Sequence, residues 1–127
     1  MVTEVQAGRR VREIYLCEGW VMYKLMLLFR QPENVTEFEA RWSQDFVNTA
    51  ERMPGIRRVA VSRIGGGVSD RVDLHLVHEF FFDDARSMQR AMASPEGQAA
   101  GKALMTFAAD TVSLYFADHF EDDLVAN

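Results

Sequence analysis

The chain has 127 residues and a formal net charge of −5 at pH 7; 48% of its residues are hydrophobic and 26% are charged. These values are typical of a single globular domain, which buries enough apolar surface to fold without disulfides or a structural metal. The negative charge opposes nucleic-acid binding, which needs a concentrated basic face. One cysteine, Cys17, cannot form an internal disulfide, and this favours the reducing cytoplasm.

The longest apolar stretch, residues 14–29, contains Glu18 and Lys24 and is therefore too short and too interrupted to span a membrane. Residues 1–21 are polar and basic without a sustained period, so we interpret them as an N-terminal extension. Two explanations stay open, a flexible native arm or a gene-calling artefact with Met22 as the true start. The domain itself is then predicted at residues 22–120, followed by an acidic tail at 121–127.

The first half of the domain is predicted to be a strand and a helix. The run YKLMLLFR at residues 23–30 is apolar on both faces, which indicates a strand that is covered on both sides. A helix is predicted to begin at Thr36, because Glu39 follows at the spacing that satisfies two free amide donors. Its apolar stripe includes Trp42 and Phe46 and is expected to lie on the sheet.

The second half begins with a predicted hairpin. Residues 56–64 and 72–82 read as strands joined by a glycine-rich turn. A phosphate-binding loop is the weaker alternative, because no Lys-Ser/Thr pair follows the glycines and a strand comes next. The remaining predicted elements are a short helix capped by Asp83 or Asp84, a second helix opened by Ser94 and Pro95 and reaching about residue 109, and a last strand at residues 111–120.

The resulting order, β-α-β-β-α-α-β, predicts an α+β fold of the ferredoxin-like class, with helices on one side of a four-stranded antiparallel sheet. The strands carry large apolar residues on both sides, so the bare face of the sheet must also be buried. A second copy of the chain is the simplest cover. We therefore expect a homodimer whose sheets pack face to face, with a pocket between sheet and helices.

Histidines and one carboxylate in the third strand are the candidates for chemistry. His75 and His78 are three residues apart, so an extended strand is predicted to place them on opposite faces, which opposes a shared metal site. Apolar neighbours of His78 would tune its pKa for proton transfer, although a hydrogen-bonded core histidine is the alternative. Glu79 is predicted on the face of His75, either as part of an acid–base pair or in an edge ion pair.

Aromatic residues on the predicted helix and last strand are the candidates for a ligand site. Trp42 and Phe46 belong to the buried stripe of the first helix, and this stripe is either core or the wall of a pocket. Tyr115 has the same two interpretations. The predicted site thus consists of His78 and Glu79 as catalytic residues, and of Trp42, Phe46, His75 and Tyr115 as ligand-binding residues, with no metal.

Four segments resemble the EthD family of the dimeric α/β-barrel superfamily. They are KLMLLFRQP, TEFEARW, MPGIRR and EFFFDD, and the resemblance covers residues 22–118. It implies two sheets packed face to face in a homodimer, which agrees with the cover inferred above. It also implies that each subunit binds or transforms a small, often aromatic or polyketide-like, molecule without a dedicated cofactor.

The chain departs from this family at one place. Members that look catalytic carry a histidine in the first helix, in a His-Ala-Pro context, where this chain has Phe46, Val47 and Asn48. The prediction is a cofactor-independent monooxygenase, cyclase or isomerase in which His78 compensates. The missing histidine favours the alternative, a non-catalytic ligand-binding or accessory protein of a degradation or biosynthesis pathway. Haem binding through one of the three histidines ranks below both.

Overall fold

The computed structural model describes residues 21–67 and 73–122. Cys17, nearly all of the predicted extension, residues 68–72 of the predicted hairpin and the end of the acidic tail lie outside these ranges. The strands are β1 (Val21–Arg30), β2 (Arg58–Arg63), β3 (Leu74–Phe82) and β4 (Val112–Phe120). The helices are α1, which is α-helical over Val35–Arg41, π-helical over Trp42–Val47 and α-helical again over Asn48–Ala50, then α2 (Ala85–Ala93) and α3 (Pro95–Ala108).

The four strands form one antiparallel sheet in the order β2-β3-β1-β4. This confirms the predicted ferredoxin-like α+β fold. β1 lies between β3 and β4 and is thus a central strand; the helices cover one of its apolar faces, and the other belongs to the open face of the sheet. The strand begins at Val21, two residues earlier than predicted, because Val21 pairs with Phe120 of β4. No helix in the described part of the chain is long and apolar enough to cross a membrane.

The start of α1 differs from the predicted one. The side chain of Asn34 accepts a hydrogen bond from the backbone N–H of Glu37 at 3.0 Å, so Asn34 is the N-cap. The predicted start at Thr36 with Glu39 is therefore wrong. The physical reason is that Asn34 already supplies an oxygen to the first turn, and Glu39 is used elsewhere, in contacts with β2 and β3.

The starts of the two later helices are as predicted. Asp84 accepts from the N–H of Ser87 at 2.8 Å at the start of α2. At the start of α3, Ser94 accepts from the N–H of Gly97 at 3.0 Å, and Pro95 occupies the first turn, where its missing N–H costs nothing. Local side-chain chemistry therefore fixes where both helices begin.

The helices cover one face of the sheet and bury the core against it. The core is built from β1 and β3, from the stripe of α1 and from the inner sides of α2 and α3. Its buried residues are Leu25, Leu27, Phe29, Phe38, Trp42, Phe46, Ala50, Met53, Leu76, Phe80, Phe82, Met88, Ala91, Ala100, Leu104 and Ala108. Where α3 meets α2, a Cβ atom on Gly97 would overlap the carbonyl oxygens of Ala91 and Met92. Glycine at this position is thus required by the close approach of two backbones.

The two glycines of α3 should respond to alanine in opposite ways. Gly97→Ala forces apart the backbone at the α2–α3 junction and should lower the free energy of unfolding by about 1–3 kcal/mol. Gly101→Ala meets no atom within 4 Å and should raise it by up to about 1 kcal/mol, because alanine has the higher helix propensity. Urea unfolding of both variants measures this. Equal effects of the two substitutions would contradict the close approach at Gly97.

Candidate functional site

The strand register divides the candidate residues between two faces of the sheet. Leu27 of β1 pairs with His78, and both are buried under the helices. Met26 pairs with Glu79 on β3 and with Tyr115 on β4, and these side chains belong to the open face. The two predicted catalytic residues, His78 and Glu79, therefore lie on opposite sides of the sheet and are not brought together.

His78 lies at the centre of a buried aromatic group. The indole Nε1 of Trp42 donates a hydrogen bond to Nδ1 of His78 at 3.2 Å. The rings of Trp42, Phe46 and Phe80 lie with their centroids 5.4, 5.8 and 4.3 Å from that of the imidazole. His78 itself is 0% exposed. The predicted apolar surroundings are present, and so is the hydrogen bond of the alternative interpretation, a core histidine.

The hydrogen bond from Trp42 determines which imidazole nitrogen carries the proton. An indole N–H only donates, so Nδ1 of His78 must be the acceptor and the proton of the neutral ring resides on Nε2. That Nε2 is buried and has no hydrogen-bond partner in the part of the chain that the structure describes. The carboxylate Oε2 of Glu51 lies 3.7 Å away. In this state His78 offers a hydrogen-bond donor, and its basic nitrogen is already occupied.

Burial also controls the charge of His78. Removing the imidazole from water disfavours its protonated form and lowers the pKa of His78 to about 4. The side chain is therefore neutral at neutral pH, which agrees with the single-proton form set by Trp42. A neutral donor in an apolar environment can stabilise negative charge that develops on a bound molecule.

The π-helical turn in α1 presents this aromatic group to the sheet. Trp42 is the first residue of the π-helical segment Trp42–Val47, and Phe46 is the last but one. Both side chains are buried against His78. Insertions of this kind are frequent at functional sites because they change the direction in which the following side chains point. The sequence stripe identified both aromatic residues, but its regular helical period gave no indication of the π turn.

His75 lies elsewhere than predicted. Phe29 pairs with Leu76 and Arg30 with Leu74, so His75 is the extra residue of a β-bulge. Its Nε2 lies 2.7 Å from Oε2 of Glu39 on the covering helix α1. The prediction that His75 shares a face with Glu79 is therefore wrong, because a bulge re-aims the side chain that a regular alternation would place on the other face.

Glu39 connects this histidine to the neighbouring strand. Its Oε1 accepts a hydrogen bond from the guanidinium of Arg63 on β2 at 2.7 Å. The hydrogen bond from Arg63 lowers the pKa of the Glu39 carboxyl, with His75 contributing in the same direction and burial opposing both. Glu39 thus holds α1 against β2 and β3, and the carboxylate partner of His75 is Glu39 and not Glu79.

On the open face, Glu79 forms an ion pair with Lys24 at 2.7 Å, and both side chains are largely buried. This geometry matches the ion-pair interpretation of Glu79, although the pair lies within the face and not at the sheet edge. Phe81 lies beside it under the guanidinium of Arg58, which is 4.3 Å from the ring centroid. Tyr115, on the same face, is 55% exposed.

A cavity of about 440 Å³ lies between the sheet and the helices. Its wall is formed by apolar residues of β1, β3 and β4, by the stripe of α1, by Met92 of α2 and by one side of α3, where small residues alternate with larger ones. The lining residues are Leu25, Leu27, Phe46, Ala50, Met53, Phe80, Met92, Gly97, Gln98, Ala100, Gly101, Lys102, Leu104, Met105 and Leu114. A pocket in this place agrees with the predicted position between sheet and helices.

Of the six predicted site residues, only Phe46 lines this cavity. His78 lies behind Phe46 and Phe80, whose rings pack on it and separate it from the cavity space. The wall contributed by α3 was missed. Its signal in the sequence is the segment from Gly97 to Ala103, in which five of the seven residues are glycine or alanine.

The comparisons with known proteins add the family. No known family model matches the chain. An uncharacterised 11.0 kDa protein of Rhodococcus erythropolis, from the thcB–thcC intergenic region, is 24% identical over 97 residues, which are 76% of this chain and 94% of that protein. The crystal structure of an EthD family protein from Bacillus halodurans is 34% identical, covers 76% of this chain and 96% of that one, and has a TM-score of 0.69. The chain belongs to the EthD family.

More distant structures share the fold of this EthD protein. A dimeric ferredoxin-like protein of unknown function from Bacteroides fragilis is 21% identical over 79% of this chain and 96% of that one, with a TM-score of 0.54. SnoaB, a cofactor-independent oxygenase from Streptomyces nogalater, is 16% identical over 85% of this chain and 99% of that one, with a TM-score of 0.55. These two show the fold alone; the family resemblance predicted from the four sequence segments is confirmed by the Bacillus halodurans structure.

The buried histidine should make the stability of the protein depend on pH. The pKa of His78 is about 4 when folded and about 6.5 when unfolded, so the unfolded chain binds more protons between these values. The contribution of His78 to the free energy of unfolding is therefore fully present above the unfolded pKa and is lost as the pH falls toward the folded pKa. From about pH 7 to about pH 5, this one group should lower the free energy of unfolding by about 2 kcal/mol.

Urea unfolding at both pH values measures the loss, and His78→Leu should make it smaller. His119→Gln is the matched control, because His119 lies on the open face, where it is only partly buried. That control should keep the larger part of the pH dependence. A His78→Leu protein with the same loss of stability as the wild type would show that His78 does not cause it.

Proposed function

We propose that this EthD family protein binds a small apolar molecule in the cavity between its sheet and its helices, in the cytoplasm and as a homodimer. The apolar wall of that cavity is the observation that carries the proposal. Its volume of about 440 Å³ lies within the range of small-molecule sites, which are typically lined by apolar side chains with few polar groups. No aspartate or glutamate is among its lining residues in the described part of the chain.

Exposed apolar side chains at the edge of the cavity support the same proposal. Met105 of α3 and Leu114 of β4 line it and are 50% and 40% exposed. Large apolar side chains that remain in contact with water at the opening of a concave site gain free energy when a ligand covers them, about 25 cal/mol for each Å² removed from water. The cavity is therefore suited to bind an apolar body through burial and shape.

A second copy of the chain would cover the open face of the sheet. That face carries Met26, Leu28 and Val77 together with the exposed Tyr115. Apolar surface of this kind is typical of an interface between protein chains, and the Lys24–Glu79 pair within it has both of its charges matched. The dimeric state of the Bacteroides fragilis protein supports the choice of a second copy as the cover.

Filling the cavity should prevent ligand binding. Gly101 lines the cavity, and a Cβ atom there meets nothing within 4 Å, so Gly101→Phe places a ring in open space without a backbone clash. Binding of the neutral fluorescent probe N-phenylnaphthylamine should weaken about tenfold or more, since at least two buried methylene equivalents of contact are lost, about 1.4 kcal/mol. A fluorescence titration measures the dissociation constant.

The matched control is Ala99→Phe, which adds the same ring to an exposed position of α3 outside the cavity lining. It should leave the affinity for the probe unchanged. If both variants bind the probe like the wild type, or if the wild-type protein binds no probe at all, the cavity is not a ligand site. Thermal unfolding of each variant checks that the fold is retained.

A second candidate, a cofactor-independent enzyme such as a monooxygenase, cyclase or isomerase, is favoured by one observation. Nε2–H of His78 is a buried donor without a partner in the described chain, and such an atom normally has one. If the rings of Phe46 and Phe80 move apart, this N–H would reach the cavity and donate to a developing oxyanion of the bound molecule. The cofactor-independent oxygenase on the same fold supports this chemistry.

NMR can decide whether the imidazole of His78 reaches a ligand. Addition of naphthol, which carries an oxygen acceptor, should shift the Nε2–H resonance of His78 downfield as a hydrogen bond forms. N-phenylnaphthylamine, which lacks that oxygen, should not produce the shift. If naphthol displaces the probe from the cavity and the resonance stays where it was, His78 supports Trp42 only and the enzymatic candidate fails.

A further inference from the structure

The cavity has one charged side chain in its lining. Lys102 of α3 lies at the edge of the cavity, one helical turn after Gln98, and the remaining lining residues are apolar or small. Within residues 21–67 and 73–122, the ammonium group of Lys102 forms no ion pair or hydrogen bond. Unlike Lys24, the other lysine of the sequence, it has no carboxylate partner.

We infer that the ligand is an amphipathic anion, with an apolar body inside the cavity and a carboxylate, phenolate or similar anionic group at Lys102. The inference rests on the proposed function and specifies its ligand class. An ammonium group donates charge-assisted hydrogen bonds to such oxygens. Gln98 is the other polar side chain of the wall, and its amide nitrogen donates to the carbonyl oxygen of Met92 at 3.1 Å, so Lys102 is the one cationic donor of the described wall.

The absence of carboxylates from the described lining lets Lys102 favour anionic ligands over cationic ones. The chain has a net charge of −5, which on its own repels an anion. No carboxylate in the described part of the chain lines the cavity, so a ligand with one negative charge meets Lys102 without a like charge beside it. A cationic ligand with the same apolar body would make the same apolar contacts but would be repelled by Lys102.

Size and position limit the shape of the ligand. The cavity has room for roughly 15 water-sized groups, which corresponds to one or two fused rings or a chain of similar size. Lys102 is exposed, so its contribution is screened by water and salt and remains modest. The anionic group therefore orients the ligand at the opening, while the apolar contacts inside the cavity supply most of the affinity.

Two probes that differ by one anionic group test the inference. N-phenylnaphthylamine is neutral, and anilinonaphthalene sulfonate carries the same rings with a sulfonate. The wild-type protein should bind the sulfonate about three- to fivefold more tightly than the neutral probe at low salt, and the difference should shrink as salt increases. Naphthoate and naphthol, used as competitors, then compare an anionic head group with a neutral one, because an aromatic hydroxyl has a pKa of about 10 and stays protonated at neutral pH.

Lys102→Gln should remove the preference for the sulfonate and leave the affinity for the neutral probe unchanged. Lys102→Arg, which keeps the positive charge, should retain the preference. Arg86→Gln is the matched control, because it removes the same charge from an exposed position of α2 outside the cavity and should keep the preference. If Lys102→Gln keeps the preference, or if the wild type shows none, the anion inference is overturned.

The Gly101→Phe variant separates that failure from failure of the proposed function. When this variant no longer binds the neutral probe while Lys102→Gln has no effect on either probe, the cavity is a ligand site for neutral molecules. When Gly101→Phe leaves the binding of both probes intact, the probes bind elsewhere and the proposed function fails together with the inference.

Discussion

The hydrogen bond between Trp42 and His78 is the contact on which the rest of the site depends. A fully buried imidazole and a buried indole would each lose free energy if their polar nitrogen atoms were left without partners. Each instead supplies what the other needs, since the indole only donates and Nδ1 accepts at 3.2 Å. This one contact joins α1 to the middle of β3, and Phe46, one π-helical turn later, is thereby placed between His78 and the cavity.

The fold could be predicted from local patterns because each element has its own physical signature. The apolar run of residues 23–30 indicated a central strand, and the caps were identified from side-chain chemistry alone, Ser94 directly and Asp84 as one of two candidates with Asp83. The two local irregularities were not predictable in this way. The π turn of α1 and the bulge at His75 each insert one residue into a regular period, and tertiary packing decides where that occurs.

The site was predicted less well than the fold for the same physical reason. A strand period correctly separated His78 from Glu79, but the bulge moved His75 to the helix side and gave it Glu39 as a partner. The cavity exists because small side chains of α3 leave space beside the sheet, and its trace in the sequence is the glycines and alanines of the segment from Gly97 to Ala103, which carry no chemically reactive group. Lys102 resembled an ordinary surface lysine until the structure placed it beside that empty volume.

These constraints also bear on the missing helix histidine. At the place of that histidine, Phe46 lies between the cavity and the imidazole of His78, so an apolar ring replaces a base on the helix. His78 itself is neutral, and the lone pair of its Nδ1 accepts the hydrogen bond from Trp42. Proton abstraction therefore has no available group in the described cavity wall. What remains is a cation at the opening and an apolar interior, with the donor on His78 behind the ring of Phe46, an arrangement that would stabilise an anionic form of a ligand better than it would remove a proton from a neutral one.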